Sequence, residues 1–163
     1  MEFNKDVTEL LKKAGWKEGR KVSLKELELP LDNYPNFIIE FLQEYGNLKI
    51  DCEKQDYSDV ANELYLDASI PKEKLEGDHY IPYYQSIIKR TFFPIGLYLP
   101  DSYDICCDVD GRVYKIGEYC FYVGKNLYEG IENILLMNTL QSLQLDEDTG
   151  KWWNMKGEYV PLP

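Results

Sequence analysis

Between Thr91 and Val123 four short β-prone runs alternate with turn residues, and this pattern restricts the fold more than any other. The runs are residues 91–93, 103–107, 112–116 and 119–123. Asp110-Gly111 stands between the second and third, and Gly117-Glu118 between the third and fourth. Such pairs reverse the chain at once, because Gly accepts positive φ and Asp bonds its own backbone into a turn. Strands joined this tightly pair with their neighbours, antiparallel. The third quarter is therefore expected to be a β meander of three such strands.

Helical spacing governs the flanks. Val7, Leu10, Leu11 and Ala14 recur at i, i+3, i+4 and i+7, with Asn4 placed to cap the helix and Gly15 to end it. Trp16 should pack back onto that helix. Ser23-x-x-Glu26 is a capping box for a short helix through Leu27, ended by Pro30. A longer helix should begin near Pro35, bury Phe37, Ile38, Phe41, Leu42 and Tyr45, and stop at Gly46-Asn47, two residues that tolerate positive φ. Residues 48–52 and 63–67 read as strands, 82–90 as a helix, and 72–80 as a short helix or loop. Asn126-x-x-Glu129 resembles a second capping box, opening a last helix with the stripe Leu127, Ile131, Ile134 and Leu135. Gly130 within it should cost about 0.5–1 kcal/mol relative to Ala.

From Leu145 the chain reads as a small hairpin, with turns at Asp148-Thr149-Gly150 and Lys156-Gly157. The expected fold is α+β: a largely antiparallel sheet with a C-terminal β meander, flanked by N-terminal helices and a final helix. There is no linker composition and no internal repeat, so residues 1–163 are read as one domain.

Charge narrows the partner. Asp and Glu number 29 against 18 Lys and Arg, a formal charge of −11. That field repels phosphate backbones and anionic lipid surfaces and attracts a basic protein. No apolar run approaches the roughly 20 residues of a membrane-spanning helix. The first residues lack the basic-then-apolar order of a secretion signal. A protein partner is expected, with no nucleic acid and no membrane, in the cytoplasm.

Catalytic and metal motifs are missing. Cys52, Cys106, Cys107 and Cys120 form no Cys-x-x-Cys pair, and His79 is the single histidine. No zinc site is expected, and the thiols are read as reduced and half-buried. A disulfide between Cys120 and Cys106 or Cys107 stays open. Asp108-Val109-Asp110-Gly111 fails the calcium-loop template, which would put Cys106 and Gly117 where carboxylates are needed. A hairpin turn explains it better. There is no nucleophile elbow and no Gly-rich phosphate loop. His79 is read as a surface or capping residue. The expectation is a chain without cofactor, metal or enzymatic activity.

Aromatic residues are abundant: 14 Tyr, 6 Phe and 3 Trp. Tyr and Trp suit interfaces, where a large ring and a polar tip are both useful. Turns on a rigid scaffold are good carriers of recognition. The expected partner-binding residues are Asp101, Tyr103, Asp104, Glu118 and Tyr119, flanking the meander turns with side chains in solvent. Trp152 and Trp153 are a second choice. Their alternative is structural, with the tail hairpin closing one sheet edge and the tryptophans covering it.

Several segments also occur in a telling order. They are Gly15-Trp-Lys-Glu-Gly-Arg20, Phe41-Leu-Gln-Glu-Tyr-Gly-Asn-Leu48, Phe93-Pro-Ile-Gly96, Asp108-Val-Asp-Gly-Arg-Val-Tyr114 and Tyr128-Glu-Gly-Ile-Glu-Asn-Ile-Leu135. In this order and spacing they resemble the SUKH superfamily of bacterial immunity proteins, specifically its third group. The resemblance covers roughly residues 5–140 and leaves the tail from 145 to 163 outside. Asn47 stands where that group more often has Gly, and Gly130 where it has Ala.

The resemblance implies an α+β scaffold that binds and neutralises a toxin, often a nuclease, of a polymorphic or contact-dependent toxin system. It also implies scaffold roles: Trp16 and Arg20 fixing how the chain leaves the first helix, Gly96 and Gly111 making turns, and Arg112 pairing with a carboxylate. The family's partner surface varies, so no binding residue carries over. The expected action is stoichiometric occlusion of a basic cognate toxin. The alternative is a protein-binding regulatory module of the same fold.

Overall fold

In the computed structural model, which describes residues 2–54 and 59–163, the meander extends well beyond the third quarter. Among the described residues nine strands pair in strict sequence order, each antiparallel to the next. They are β1 (Lys49–Asp51), β2 (Glu63–Tyr65), β3 (Phe93–Leu99), β4 (Tyr103–Cys107), β5 (Val113–Ile116), β6 (Cys120–Gly124), β7 (Leu143–Leu145), β8 (Trp152–Trp153) and β9 (Tyr159–Val160). The helices are α1 (Lys5–Lys13), α2 (Leu24–Leu27), α3 (Asn36–Tyr45), α4 (Tyr80–Ile88) and α5 (Leu127–Leu135), with a 3-10 turn at Lys72–Leu75.

Alternation along the strands sorts the core into two layers. Ile105, Cys107, Val113 and Val123 face a cluster built with Val7 and Leu11 of α1, Ile38 and Leu42 of α3, and Ile131 and Leu135 of α5. Cys106, Tyr114, Ile116, Cys120 and Tyr122 face the other way, against Ile81 and Tyr84 of α4 and against Trp152. The capping residues act as their chemistry dictates. Asn4 accepts from the Val7 N–H, Ser23 and Glu26 close a full capping box, and Asn126 accepts from the Glu129 N–H.

Several sequence expectations need correction. The run read as residues 91–93 becomes the longest strand, β3, because Pro94 sits at a register shift where a missing N–H is tolerated. Gly96 is therefore no turn. It lies within β3, where a Cβ would stand 2.7 Å from the Tyr65 carbonyl oxygen. Gly46 likewise serves close packing, since its φ is −60° and a Cβ would strike the Leu42 carbonyl; Asn47 takes the positive φ of 61°. α2 ends at a left-handed Glu28, before Pro30. Phe37 is exposed on α3. All four cysteines are free and fully buried rather than half-buried. Burial pushes the Cys52 thiol up to about 12 and raises the other three as well.

Gly130 is the clearest local conflict between propensity and packing. A Cβ there would lie 2.5 Å from Val113 Cβ, and a Cβ on Gly124 would strike the Gly130 backbone. α5 thus approaches β5 and β6 as closely as backbone allows. Gly130→Ala should gain roughly 1 kcal/mol of helix propensity and lose about 1–3 kcal/mol to overpacking. The expected result is a lower urea midpoint at unchanged slope. A raised midpoint would contradict the close approach. Ellman's reagent should find no reactive thiol in the native protein at pH 8 and all four after unfolding, because thiolate is the reacting form.

Candidate partner-binding face

The helices leave part of the sheet uncovered. On the side shared with α5, one row of side chains runs straight across five strands. Lys115 on β5 opposes Phe121 on β6, Phe121 opposes Gln144 on β7, Gln144 opposes Trp153 on β8, and Trp153 opposes Tyr159 on β9. The first four are half-buried and Tyr159 is exposed. Trp153 stacks on Tyr159 with centroids 4.3 Å apart. Tyr103 and Tyr119 border Phe121, at 6.1 and 6.3 Å between rings. A hollow of about 340 Å³ opens over this row, walled in part by Phe121, Trp153 and Met155.

Acidic turns flank the row. In a meander alternate turns fall at the same end of the sheet. The β3–β4, β5–β6 and β7–β8 turns therefore share one end, carrying Asp101, then Glu118 and Tyr119, then Asp146, Glu147 and Asp148. Asp101, Tyr103 and Glu118 line a second open hollow with Tyr80 of α4. Asp146 accepts from the Tyr159 hydroxyl at 2.5 Å and from Thr149 at 2.8 Å, and these bonds hold its carboxyl below the usual range. Glu147 accepts from Tyr83 and Tyr84, each at 2.8 Å; this bond raises the Tyr83 phenol, and burial together with the bond raises that of Tyr84.

Five of the seven expected residues thus gather on one face and its rim: Asp101, Tyr103, Glu118, Tyr119 and Trp153. Asp104 and Trp152 do not. Asp104 is one step inside β4, so the pleat turns it to the α4 side. There it is 5% exposed and accepts from Lys74 Nζ at 2.8 and 3.1 Å. Trp152 is 6% exposed and packs beside Tyr114, so it covers the sheet as the structural alternative for the tail required. Lys115, Phe121, Gln144 and Tyr159 went unread. Each looks ordinary alone, and only the register aligns them.

The residues expected to be scaffold, Gly96 apart, lie as follows. Trp16 stacks on Tyr45 at 6.0 Å, and Arg20 donates to the Glu44 carbonyl at 2.9 Å. Gly111 turns with φ +90°. Arg112 pairs with Asp110 at 3.1 Å. The fully buried Asp108 is the centre of that turn. It accepts from the Asp110 and Arg112 N–H groups and the Tyr114 hydroxyl, and it pairs with Arg90 at 3.3 Å. Its lone pairs are spent on the fold. His79 sits at the N-cap position of α4 without a capping hydrogen bond. Among the described residues no group of three or more His, Cys, Asp or Glu is placed to hold a metal ion, and no helix is long and apolar enough to cross a membrane.

A family model described as SUKH-3 immunity protein matches residues 3–137. No curated protein and no solved structure matches the chain. The match takes in Lys115 and Phe121 and stops before β7, so Gln144, Trp153 and Tyr159 lie outside it.

Substitutions separate the buried from the open members. Asp104→Asn should cost about 1–3 kcal/mol by leaving Lys74 without its charged acceptor, while Asp101→Asn should stay within about 0.5 kcal/mol. Trp152→Ala should cost about 3–5 kcal/mol, and Trp153→Ala clearly less. Thermal melts of the four variants check this. Equal losses at Asp101 and Asp104 would refute the assignment of faces.

Proposed function

Since the chain belongs to the SUKH-3 immunity protein family, we propose that it binds a cognate bacterial toxin and neutralises it by stoichiometric occlusion. The contact surface is the open face of β5–β9 together with the acidic turns beside it. The observation that carries this reading is the cross-strand row ending in the stacked Trp153–Tyr159 pair, next to the carboxylates of Asp101, Glu118 and the β7–β8 turn. Flat aromatic side chains held by a sheet give up little entropy on binding and make good anchors. Exposed carboxylates around them attract a basic surface and exclude acidic ones.

The toxin is then basic where it is covered, and a nuclease fits best, since a groove that handles phosphates carries Lys and Arg. The protein performs no chemistry in this reading. It needs no cofactor, touches neither nucleic acid nor membrane, and works in the cytoplasm, where the toxin would act.

The test is protection. Cells expressing the cognate toxin should survive when the wild-type chain is co-expressed. Charge reversal of Asp101 and Glu118 should slow association, and the wild-type rate should fall with salt, because exposed charges are screened beyond roughly 8 Å at physiological ionic strength. Trp153→Ala should accelerate dissociation about 30-fold, equivalent to about 2 kcal/mol, the scale of a binding hot spot. Full protection by the triple variant Asp101→Lys/Glu118→Lys/Trp153→Ala would remove this surface from the proposal.

A further inference from the structure

Among the described residues two lysines stand on rings of this face: Lys151 over Tyr159 at its exposed end, at 5.2 Å, and Lys115 within it. Lys115 projects from the centre of β5 onto the open side, and its ammonium stands over three rings: Tyr98 at 4.3 Å, Tyr103 at 5.0 Å and Phe121 at 5.6 Å from the centroids. Among the described residues it forms no ion pair, unlike Lys12, Lys49 and Lys74. Ring faces attract a cation but do not accept its three N–H bonds. Burial pushes the amine below the ordinary lysine range, and the field of Asp101 opposes this in part.

Two hollows share Lys115 as part of their walls. The one of about 340 Å³ lies over Phe121 and Trp153. The other, of about 40 Å³, is walled by Lys115, Tyr98 and the segment after α5. Thr139 and Ser142 line both. On this measure one water needs about 10–15 Å³, so the small hollow has room for a group of a few atoms, the scale of a carboxylate. Lys115, Thr139 and Ser142 share its wall with Asn133 and Asn138.

We propose that Lys115 receives one acidic side chain of the protein partner. A Glu or Asp carboxylate enters the small hollow and meets the ammonium with the Thr139 and Ser142 hydroxyls. An apolar side chain next to it fills the larger hollow against Phe121 and Trp153. The occupant's being a protein rests on the immunity reading. The consequence is selectivity. A surface that is only basic satisfies the acidic rim and leaves Lys115 desolvated and unpaired, which disfavours it. A partner that places one acid among its basic groups satisfies both.

The full chain can be titrated with two blocked dipeptides, N-acetyl-Phe-Glu-amide and N-acetyl-Phe-Gln-amide, reading the Lys115 Cε–Hε and Trp153 indole resonances. The Glu peptide should bind saturably and about tenfold tighter than its neutral counterpart, a difference near 1.4 kcal/mol. Lys115→Met should abolish that preference. The wild-type ratio decides the matter even if this variant folds poorly. Equal affinities, or no binding of either peptide, would overturn the site. Displacement of the Glu peptide by inorganic phosphate at matched ionic strength would overturn the side-chain assignment and make this a small-anion site. No toxin enters the experiment. A negative result with protection intact removes only the Lys115 site, and absence of protection removes the immunity reading whatever the peptides do.

Discussion

A meander passes its register from strand to strand, and everything in this protein hangs on that inheritance. A slip of one residue at any turn would exchange the two faces of every strand beyond it. The turn between β4 and β5 is where the register is held hardest. Asp108 is fully buried, bonded to two backbone N–H groups and the Tyr114 hydroxyl, and paired with Arg90 just beyond α4. A buried carboxylate with this many partners tolerates no displaced neighbour, because each lost partner leaves charge in a poor solvent. The same contacts tie α4 to the sheet face that it covers, so one side chain bears on both register and layer.

With register held, the two faces take different fates. The side beneath α4 is closed, and it absorbs Cys106, Tyr114, Tyr122 and Trp152 into a continuous cluster. The other side is closed by α1 and α3 over the earlier strands, and by α5 where Gly124 and Gly130 let helix and strand meet. Beyond that contact the row from Lys115 to Tyr159 stays open. An uncovered aromatic surface on a rigid sheet is a natural recognition platform, and the acidic turns at one end give it polarity.

Much of the fold was legible in the chain, and the reasons are local. Capping residues and apolar stripes placed α1, α2, α3 and α5, and Asp110-Gly111 placed the central hairpin. What escaped depended on contacts distant in sequence. Pro94 and Gly96 look like strand breakers until the neighbouring Tyr65 backbone is seen to need the space. β7 is three residues long; the Asp148-Thr149-Gly150 turn marks its end, but nothing local marks its start, and it forms because β6 offers it an edge. The site was half legible for the same reason. Turn residues such as Asp101 and Glu118 declare themselves, but a single step of the pleat decides that Asp104 and Trp152 point inward while Tyr103 and Trp153 point outward. The cross-strand row exists only in the register.

The β8–β9 hairpin gives the architecture a further property. It lies outside the segment shared with the family, and it attaches through Trp152 on one face while displaying Trp153 and Tyr159 on the other. Attachment and display are therefore carried by neighbouring residues with opposite orientations. A lineage could replace the displayed residues, or graft a different hairpin with a tryptophan at the inward position, and leave the folding core intact. The tail is in this sense an interchangeable cartridge on a fixed frame. Its two outward positions bear less of the packing than Trp152 does, so replacing them disturbs the fold less.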